Sequence, residues 1–146
     1  MDKLKVLDLF SGIGGFSLGL ENTNCFETSA FCEIESFPKK VLKKHWPNTP
    51  IYDDVRELKG DMLGHIDIIT GGFPCQDLSA AGDQKGIGQD TRSGLFREMV
   101  RLAEECKRPY ILFENVSRLL SGPKEKAGEW FWQFLWALAE IGYDAE

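Results

Sequence analysis

Three short segments carry the residue types that group transfer needs. The first is Ser11-Gly12-Ile13-Gly14-Gly15, a glycine-rich turn directly after the apolar run KVLDLF. Glycines there let the backbone turn tightly and approach a ligand closely. About 20 residues further on stands Glu33, where an acidic side chain can take both hydroxyls of a ribose. The pattern is not a full dinucleotide fingerprint, because Ser17 occupies the place of the third glycine, and no Gly-Lys-Ser/Thr follows to make a P-loop. A plain glycine turn beside a solvated glutamate is the alternative.

The second segment is Phe73-Pro74-Cys75-Gln76, just past the apolar run IDIIT. A cysteine beyond a strand end faces the place where open α/β sheets bind ligands. A free thiol is a few per cent thiolate at neutral pH, yet strongly nucleophilic. The alternative, a cysteine buried as a small apolar side chain, suits Cys25, Cys32 and Cys106, which lie in strand or helix patterns. It suits Cys75 less, because Pro74 and the polar stretch after it break any packing pattern. The third segment is Glu114-Asn115, after YILF, where the carboxyl can share a pocket with Cys75 or simply cap a loop.

The elements that must position these residues alternate. Lys5–Phe10, Cys25–Glu33, Ile51–Tyr52, Ile66–Thr70 and Tyr110–Phe113 read as strands. Phe16–Asn22, a stretch opened by Ser36 as cap, Asp54–Leu63, Gly94–Lys107 and Glu129–Ile141 read as helices. Between Gly71 and Gly94 lies a polar, glycine-rich stretch of about 24 residues, longer than ordinary connections and typical of functional loops. The order predicts an α/β fold: a Rossmann-like, mainly parallel sheet with helices on both faces. Phe10, Glu33, Cys75 and Glu114 all then fall at the carboxyl ends of strands, where a doubly wound sheet binds its ligands.

The chain has 146 residues, 42% of them apolar and 27% charged, as in an ordinary globular domain. No apolar run approaches the ~20 residues of a membrane span, and the N-terminus lacks the pattern of a secretory signal, so a cytoplasmic location is expected. The four cysteines form no C-x-x-C pair, and His45 and His65 stand near none of them, so neither a zinc site nor a disulfide framework is expected. A cysteine hydrolase would need a histidine base, and neither histidine has a recognisable arrangement with Cys75. The net charge of −6 argues against tight, unaided binding to DNA.

Taken together, the segments resemble the cytosine-5 DNA methyltransferases. DLFSGIGG (Asp8 to Gly15) is similar to that family's cofactor motif, GGFPCQDLS (Gly71 to Ser79) to its Pro-Cys motif, and FENV (Phe113 to Val116) to its Glu-Asn-Val motif. The stretch from Gly82 to Phe96 matches the loop that joins them. The resemblance covers essentially the whole chain, in order.

It implies S-adenosyl-L-methionine as cofactor, with Phe10 against the adenine and Ser11, Gly12, Gly14 and Gly15 beside the methionine moiety. Glu33 would take the ribose, Asp54 the adenine amino group, and Leu95 would lie by the methionine carboxylate. Ile34 stands where the family commonly has an aromatic, and would offer an apolar wall without ring stacking. Cys75 would add to C6 of an extruded cytosine, Glu114 would stabilise charge at N3, and C5 would then attack the sulfonium methyl group. Such a glutamate needs burial to hold a proton near neutrality. Pro74 and Asn115 would shape the pocket, and Gln76, Ser79 and Arg92 would contact the DNA.

Family members are longer. Residues 1–146 are therefore read as one incomplete cofactor-binding and catalytic domain, ending before the last strands and without a target-recognition domain. DNA would bind weakly. The helix from Trp130 to Ile141 is apolar around about two-thirds of its circumference, wider than a surface helix needs. It is either buried by neighbouring loops or left to meet a complementary C-terminal half or a second copy.

Overall fold

A computed structural model describes residues 2–73, 95–107, 109–114 and 128–144. Among these residues five strands form one sheet in the order β3-β2-β1-β4-β5. They are β1 (Leu4–Leu9), β2 (Phe26–Cys32), β3 (Ile51–Tyr52), β4 (Ile68–Gly71) and β5 (Tyr110–Phe113). Every neighbouring pair is parallel. The order reverses at β1: the chain winds outward to β2 and β3, then returns to add β4 and β5 on the other side. The crevice at such a reversal is where doubly wound sheets bind ligands. The expected α/β class and parallel sheet are therefore what the chain forms.

Among the described residues the helices are α1 (Gly15–Glu21), α2 (Ser36–His45), α3 (Phe96–Glu105) and α4 (Glu129–Glu140). Helix α1 contacts β1 and β2, and Trp46 at the end of α2 meets Phe31 of β2 edge-on, with ring centroids 5.1 Å apart. On the other face, Leu7, Leu9, Ala30, Cys32 and Ile69 pack with Met99, Leu102 and Ala103 of α3. A second cluster joins Phe73, Phe96, Phe134 and Leu138, and the Phe113 ring lies 4.2 Å from that of Phe134. Burying the inward stripe of α3 stabilises its placement by about 1.5–3 kcal/mol per large side chain, more than local helix propensity supplies.

Three expectations about elements are corrected. Asp54–Leu63 is not an α-helix: it is a turn followed by a single 3-10 turn at Gly60–Met62. The Asp54 carboxylate accepts the backbone N–H of Arg56 at 2.9 Å, a local bond that competes with helix formation. From α3, the Arg101 guanidinium donates to the carbonyls of Val55 and Leu58, both at 2.9 Å, and the Glu105 carboxylate accepts the N–H of Gly60 at 2.7 Å. Ser36 does not cap α2; it is the first helical residue, and Glu35 holds the cap position without a side-chain bond. Cys25 is exposed rather than buried, because it precedes β2 on the rim of the sheet.

Helix α4 buries Phe134 and Leu138 and leaves Trp132 and Trp136 each 69% exposed. On β5, Tyr110 is 81% exposed, while Ile111 and Phe113 on the opposite side pack into the clusters. Among the described residues, no helix is long and apolar enough to cross a membrane.

Candidate active site

The glycine turn is built on β1. Phe10 ends the strand with φ at +51°, a left-handed conformation that is costly for a bulky side chain. It packs half-buried against both apolar clusters, and this packing holds the conformation. Ser11 faces inward. Its hydroxyl donates to the carbonyl of Asp8 at 2.6 Å, and its N–H to the carbonyl of Cys32 at 3.2 Å, so it stitches β1 to β2 at their ends. Its carbonyl accepts the N–H of Gly14 at 2.9 Å, so Ser11 shapes the turn with backbone and hydroxyl alike.

Glu33 sits one residue past β2, 8% exposed. Its two oxygens are both engaged: Oε2 accepts the N–H of Gly12 and Oε1 the N–H of Glu35, each at 2.7 Å. The carboxylate thus holds the glycine turn in place, and its remaining lone pairs can still accept from hydroxyls, since a carboxylate has about four acceptor positions. Beside it, a side chain built on Gly12 or Gly15 would meet nothing within 4 Å, so the turn faces open space. Ile34 is 59% exposed next to it. An open glycine turn, a fixed carboxylate and an apolar wall fit the ribose and adenine of a nucleoside cofactor.

Asp54 follows β3, and its carboxylate is gripped by the Arg56 guanidinium, with Nη2–Oδ2 at 2.6 Å. Those hydrogen bonds hold its pKa below the usual carboxylate range. Leu95 immediately precedes α3, half-buried against the first cluster. The structure thus brings Phe10, Ser11, Gly12, Glu33 and Ile34 to one end of β1 and β2. Asp54 stands beyond β3, and its charge helps to push up the Cys32 thiol.

On the other side of the reversal, β4 and β5 end together. The Glu114 N–H donates to the Gly71 carbonyl at 3.1 Å, extending the β4–β5 ladder by one residue. A side chain added at Gly72 would come within 3.1 Å of the Glu114 carboxylate oxygen Oε2. Gly72 thus admits that carboxylate against the backbone leading to Phe73, two residues before Cys75. Pro74, Cys75, Gln76, Ser79, Arg92 and Asn115 lie outside the described residues. Two of the other cysteines are unsuited to nucleophilic work: burial, with Asp54, Glu33 and Asp53 nearby, pushes Cys32 up to about 12, and burial raises Cys106.

Gly14 was placed in the turn by the sequence, but the packing of Trp46 on it, the bond from Trp46 to Glu21 and the partners of Asp8 were not. Gly14 has φ at +89°, and the Trp46 ring would lie 2.7 Å from any side chain placed on it. The Trp46 indole N–H in turn donates to Glu21 at 2.9 Å, so α2 closes over the glycine turn and is tied to α1. Asp8, fully buried in β1, accepts hydroxyls from Ser17 and Thr70. The polar Asp8 inside an otherwise apolar strand run was the one signal available.

If the crevice takes S-adenosylmethionine, as the resemblance implies, Glu33→Ala should weaken its binding by about 1–3 kcal/mol, because it removes an anionic acceptor and frees the Gly12 N–H. Calorimetric titration checks this. Unchanged affinity would remove Glu33 from the site.

Comparisons with known proteins give the family. The type II methyltransferase M2.BsuMI of Bacillus subtilis is 40% identical over 144 residues, covering 96% of this chain and 35% of the relative. The type II methyltransferase M.Sau3AI of Staphylococcus aureus is 35% identical over 162 aligned residues, covering 100% of this chain and 38% of the relative. A crystal structure described as a prophage-encoded DNA modification methyltransferase of E. coli superposes with a TM-score of 0.73 at 27% identity, over 94% of this chain and 38% of that one. The chain thus spans little more than a third of the length of these relatives. The family model described as C-5 cytosine-specific DNA methylase matches residues 4–146, and this chain belongs to that family.

Proposed function

We propose that the chain is the cofactor-binding and catalytic part of a DNA methyltransferase that acts at C5 of cytosine. The observation that carries this reading is the pairing of two constellations across the reversal of one sheet. Glu33 and the open glycine turn end β1 and β2, while Glu114 stands against Gly72 where β4 and β5 end.

S-adenosylmethionine, when bound, supplies an electrophilic methyl group. Glu33 would accept its ribose hydroxyls, Gly12, Gly14 and Gly15 would flank its methionine end, and Phe10 and Ile34 would bracket the adenine. Asp54 would take the adenine amino group by sharing its carboxylate with Arg56, and Leu95 would close the methionine side.

The cytosine ring needs activation, because its C5 is a weak nucleophile while the ring is aromatic. Cys75 Sγ forms a bond to C6, and the electron pair of the C5–C6 double bond moves into an enamine system. Glu114 places a proton at N3, where the charge develops. C5 would then attack the methyl group, whose bond to the sulfonium sulfur breaks to leave a neutral thioether; loss of the C5 proton to a base would re-form the C5–C6 double bond and expel the Cys75 thiolate, and the N3 proton would return to Glu114. Glu114 is exposed, so its carboxyl is open to an extruded base. Pro74 and Asn115 would shape the pocket, and Gln76, Ser79 and Arg92 would contact the DNA.

A complementary C-terminal half is the partner this reading implies. Parallel sheets are covered on both faces, and the exposed Tyr110 together with Trp132 and Trp136 offers apolar area for it to cover. DNA is the substrate, bound weakly by this acidic part alone, and the protein works in the cytoplasm. The test is transfer of labelled methyl groups from S-adenosylmethionine to DNA by this chain, alone and supplied with the C-terminal part of a relative. Label at C5 of cytosine is expected. Label on adenine or on exocyclic nitrogen would overturn the reading.

A further inference from the structure

The place where the glycine pattern breaks leads to a buried carboxylate. Ser17 stands where a dinucleotide fingerprint would carry its third glycine, which serves close packing of helix on strand. Here Ser17 is fully buried, and its hydroxyl donates to Asp8 Oδ2 at 2.7 Å. The other oxygen, Oδ1, accepts the hydroxyl of Thr70 at 3.0 Å. Asp8 and Thr70 are fully buried as well. The three residues come from β1, α1 and β4, and none of them has a place in the binding or chemistry described above.

A carboxylate in a sheet interior costs desolvation that an apolar side chain would avoid, so its presence there asks for a role. We propose that Asp8 is a positioning residue: through Ser17 and Thr70 it locks the helix after the cofactor turn to β4, fixing the spacing between that turn and the strand that leads to Cys75. This inference rests on the cofactor reading of the glycine turn.

The lock depends on charge. An ionised carboxylate only accepts, so both hydroxyls find a lone pair. Once protonated, one oxygen becomes a donor and one hydroxyl loses its best acceptor. Burial pushes the Asp8 pKa up to about 6, opposed by the Ser17 and Thr70 hydrogen bonds, with the negative Glu33 beyond β2 adding slightly to the rise. The groups that face it are thus Ser17 from α1, Thr70 from β4 and Glu33. The sign for stability is clear. The folded chain takes up this proton more readily than the unfolded one, so the group's stability contribution is present below pH 3.8 and is lost as pH rises through about 6. Cofactor binding runs the other way, because it needs the ionised, locked form.

The experiment measures S-adenosylmethionine affinity by calorimetry at pH 5 to 7.5, with thermal unfolding in the same buffers. For the native chain, affinity should fall about tenfold on acidification, one hydrogen bond's worth, with no parallel fall in the Asp8-dependent part of the stability. Asp8→Asn, whose amide accepts at only one oxygen, should unfold no earlier at neutral pH. It should bind about tenfold more weakly and lose that pH slope. Ser17→Ala should weaken binding at pH 7.5, have little effect at pH 5, and add nothing on the Asp8→Asn background. Asp8→Asn with native affinity and native slope would overturn the proposal while leaving the cofactor site standing. If Asp8→Asn does not fold, a Ser17→Ala loss of equal size at both pH values overturns it instead. No binding by the native chain at any pH would overturn the cofactor reading and this proposal with it.

Discussion

Glu114→Gln is expected to slow methyl transfer by about 10²–10⁴-fold, the range for loss of a positioned proton-transfer group. The substitution keeps the shape and the ladder hydrogen bond of the backbone, since the Glu114 N–H to Gly71 bond does not involve the side chain. It removes the proton that would be placed at N3, and with it the stabilisation of charge as Cys75 adds to C6. Affinity for S-adenosylmethionine should not change, because Glu114 belongs to the β4–β5 end rather than to the Glu33 end. Single-turnover methyl transfer, measured beside calorimetric cofactor binding, separates the two. A variant with native rate would take Glu114 out of the chemistry. A variant that lost cofactor affinity instead would move it to the other constellation.

The second large effect is on stability. Gly14→Ala must place a side chain at φ +89°, within 2.7 Å of Trp46 Cζ3, 2.8 Å of Trp46 Cη2 and 3.0 Å of Leu42 Cδ2. A left-handed conformation costs about 1–2 kcal/mol for a residue with a side chain, and overpacking a closed site adds about 1–3 kcal/mol. The expected loss is about 2–5 kcal/mol, a fall in Tm on the order of 10 °C. Trp46 cannot swing away freely, because its indole N–H is held by Glu21 and its ring packs on Phe31. Gly15→Ala is the contrast: its added side chain meets nothing within 4 Å, and Gly15 opens α1. That variant should keep or slightly gain stability, since alanine favours helix over glycine by about 1 kcal/mol, yet intrude on the open space beside the turn and weaken the cofactor. Thermal unfolding of the pair checks the prediction.

Much of this site was legible because its residues follow strand ends, and strands in a parallel sheet read as short apolar runs. KVLDLF, IDIIT and YILF located β1, β4 and β5 to within about two residues, and with them Phe10, Phe73 and Glu114. Partners were not legible. Spacing placed Glu33 at the crevice, but only the fold shows that both its oxygens already hold backbone N–H groups. Ser11 could be placed in the turn, but not its inward hydroxyl.

The misread segment fails for the same reason. Asp54–Leu63 has Val55, Leu58 and Leu63 at helical spacing, and Val55 and Leu58 are indeed buried. What unwinds it comes from 43 and 46 residues away in sequence, where Arg101 claims the carbonyls that a helix would have used. Local periodicity reports which side chains are buried, not which distant donor binds the backbone. The wide apolar wheel of α4 behaved similarly. It announced more apolar surface than one contact needs, and the sheet then took Phe134 and Leu138 and left Trp132 and Trp136 outside.

The central claim is that Cys75 attacks a cytosine held between the two constellations. The most direct test is the intact mass of the chain after incubation with S-adenosylmethionine and DNA carrying 5-fluorocytosine in many sequence contexts. Fluorine at C5 cannot leave as a proton does, so a thiol that has added to C6 stays attached once the methyl group has moved. The account predicts one adduct, equal to chain plus methylated DNA, mapped to Cys75 and abolished by Cys75→Ser. An adduct on Cys25, Cys32 or Cys106, or methylation of cytosine C5 that survives Cys75→Ser, would contradict it.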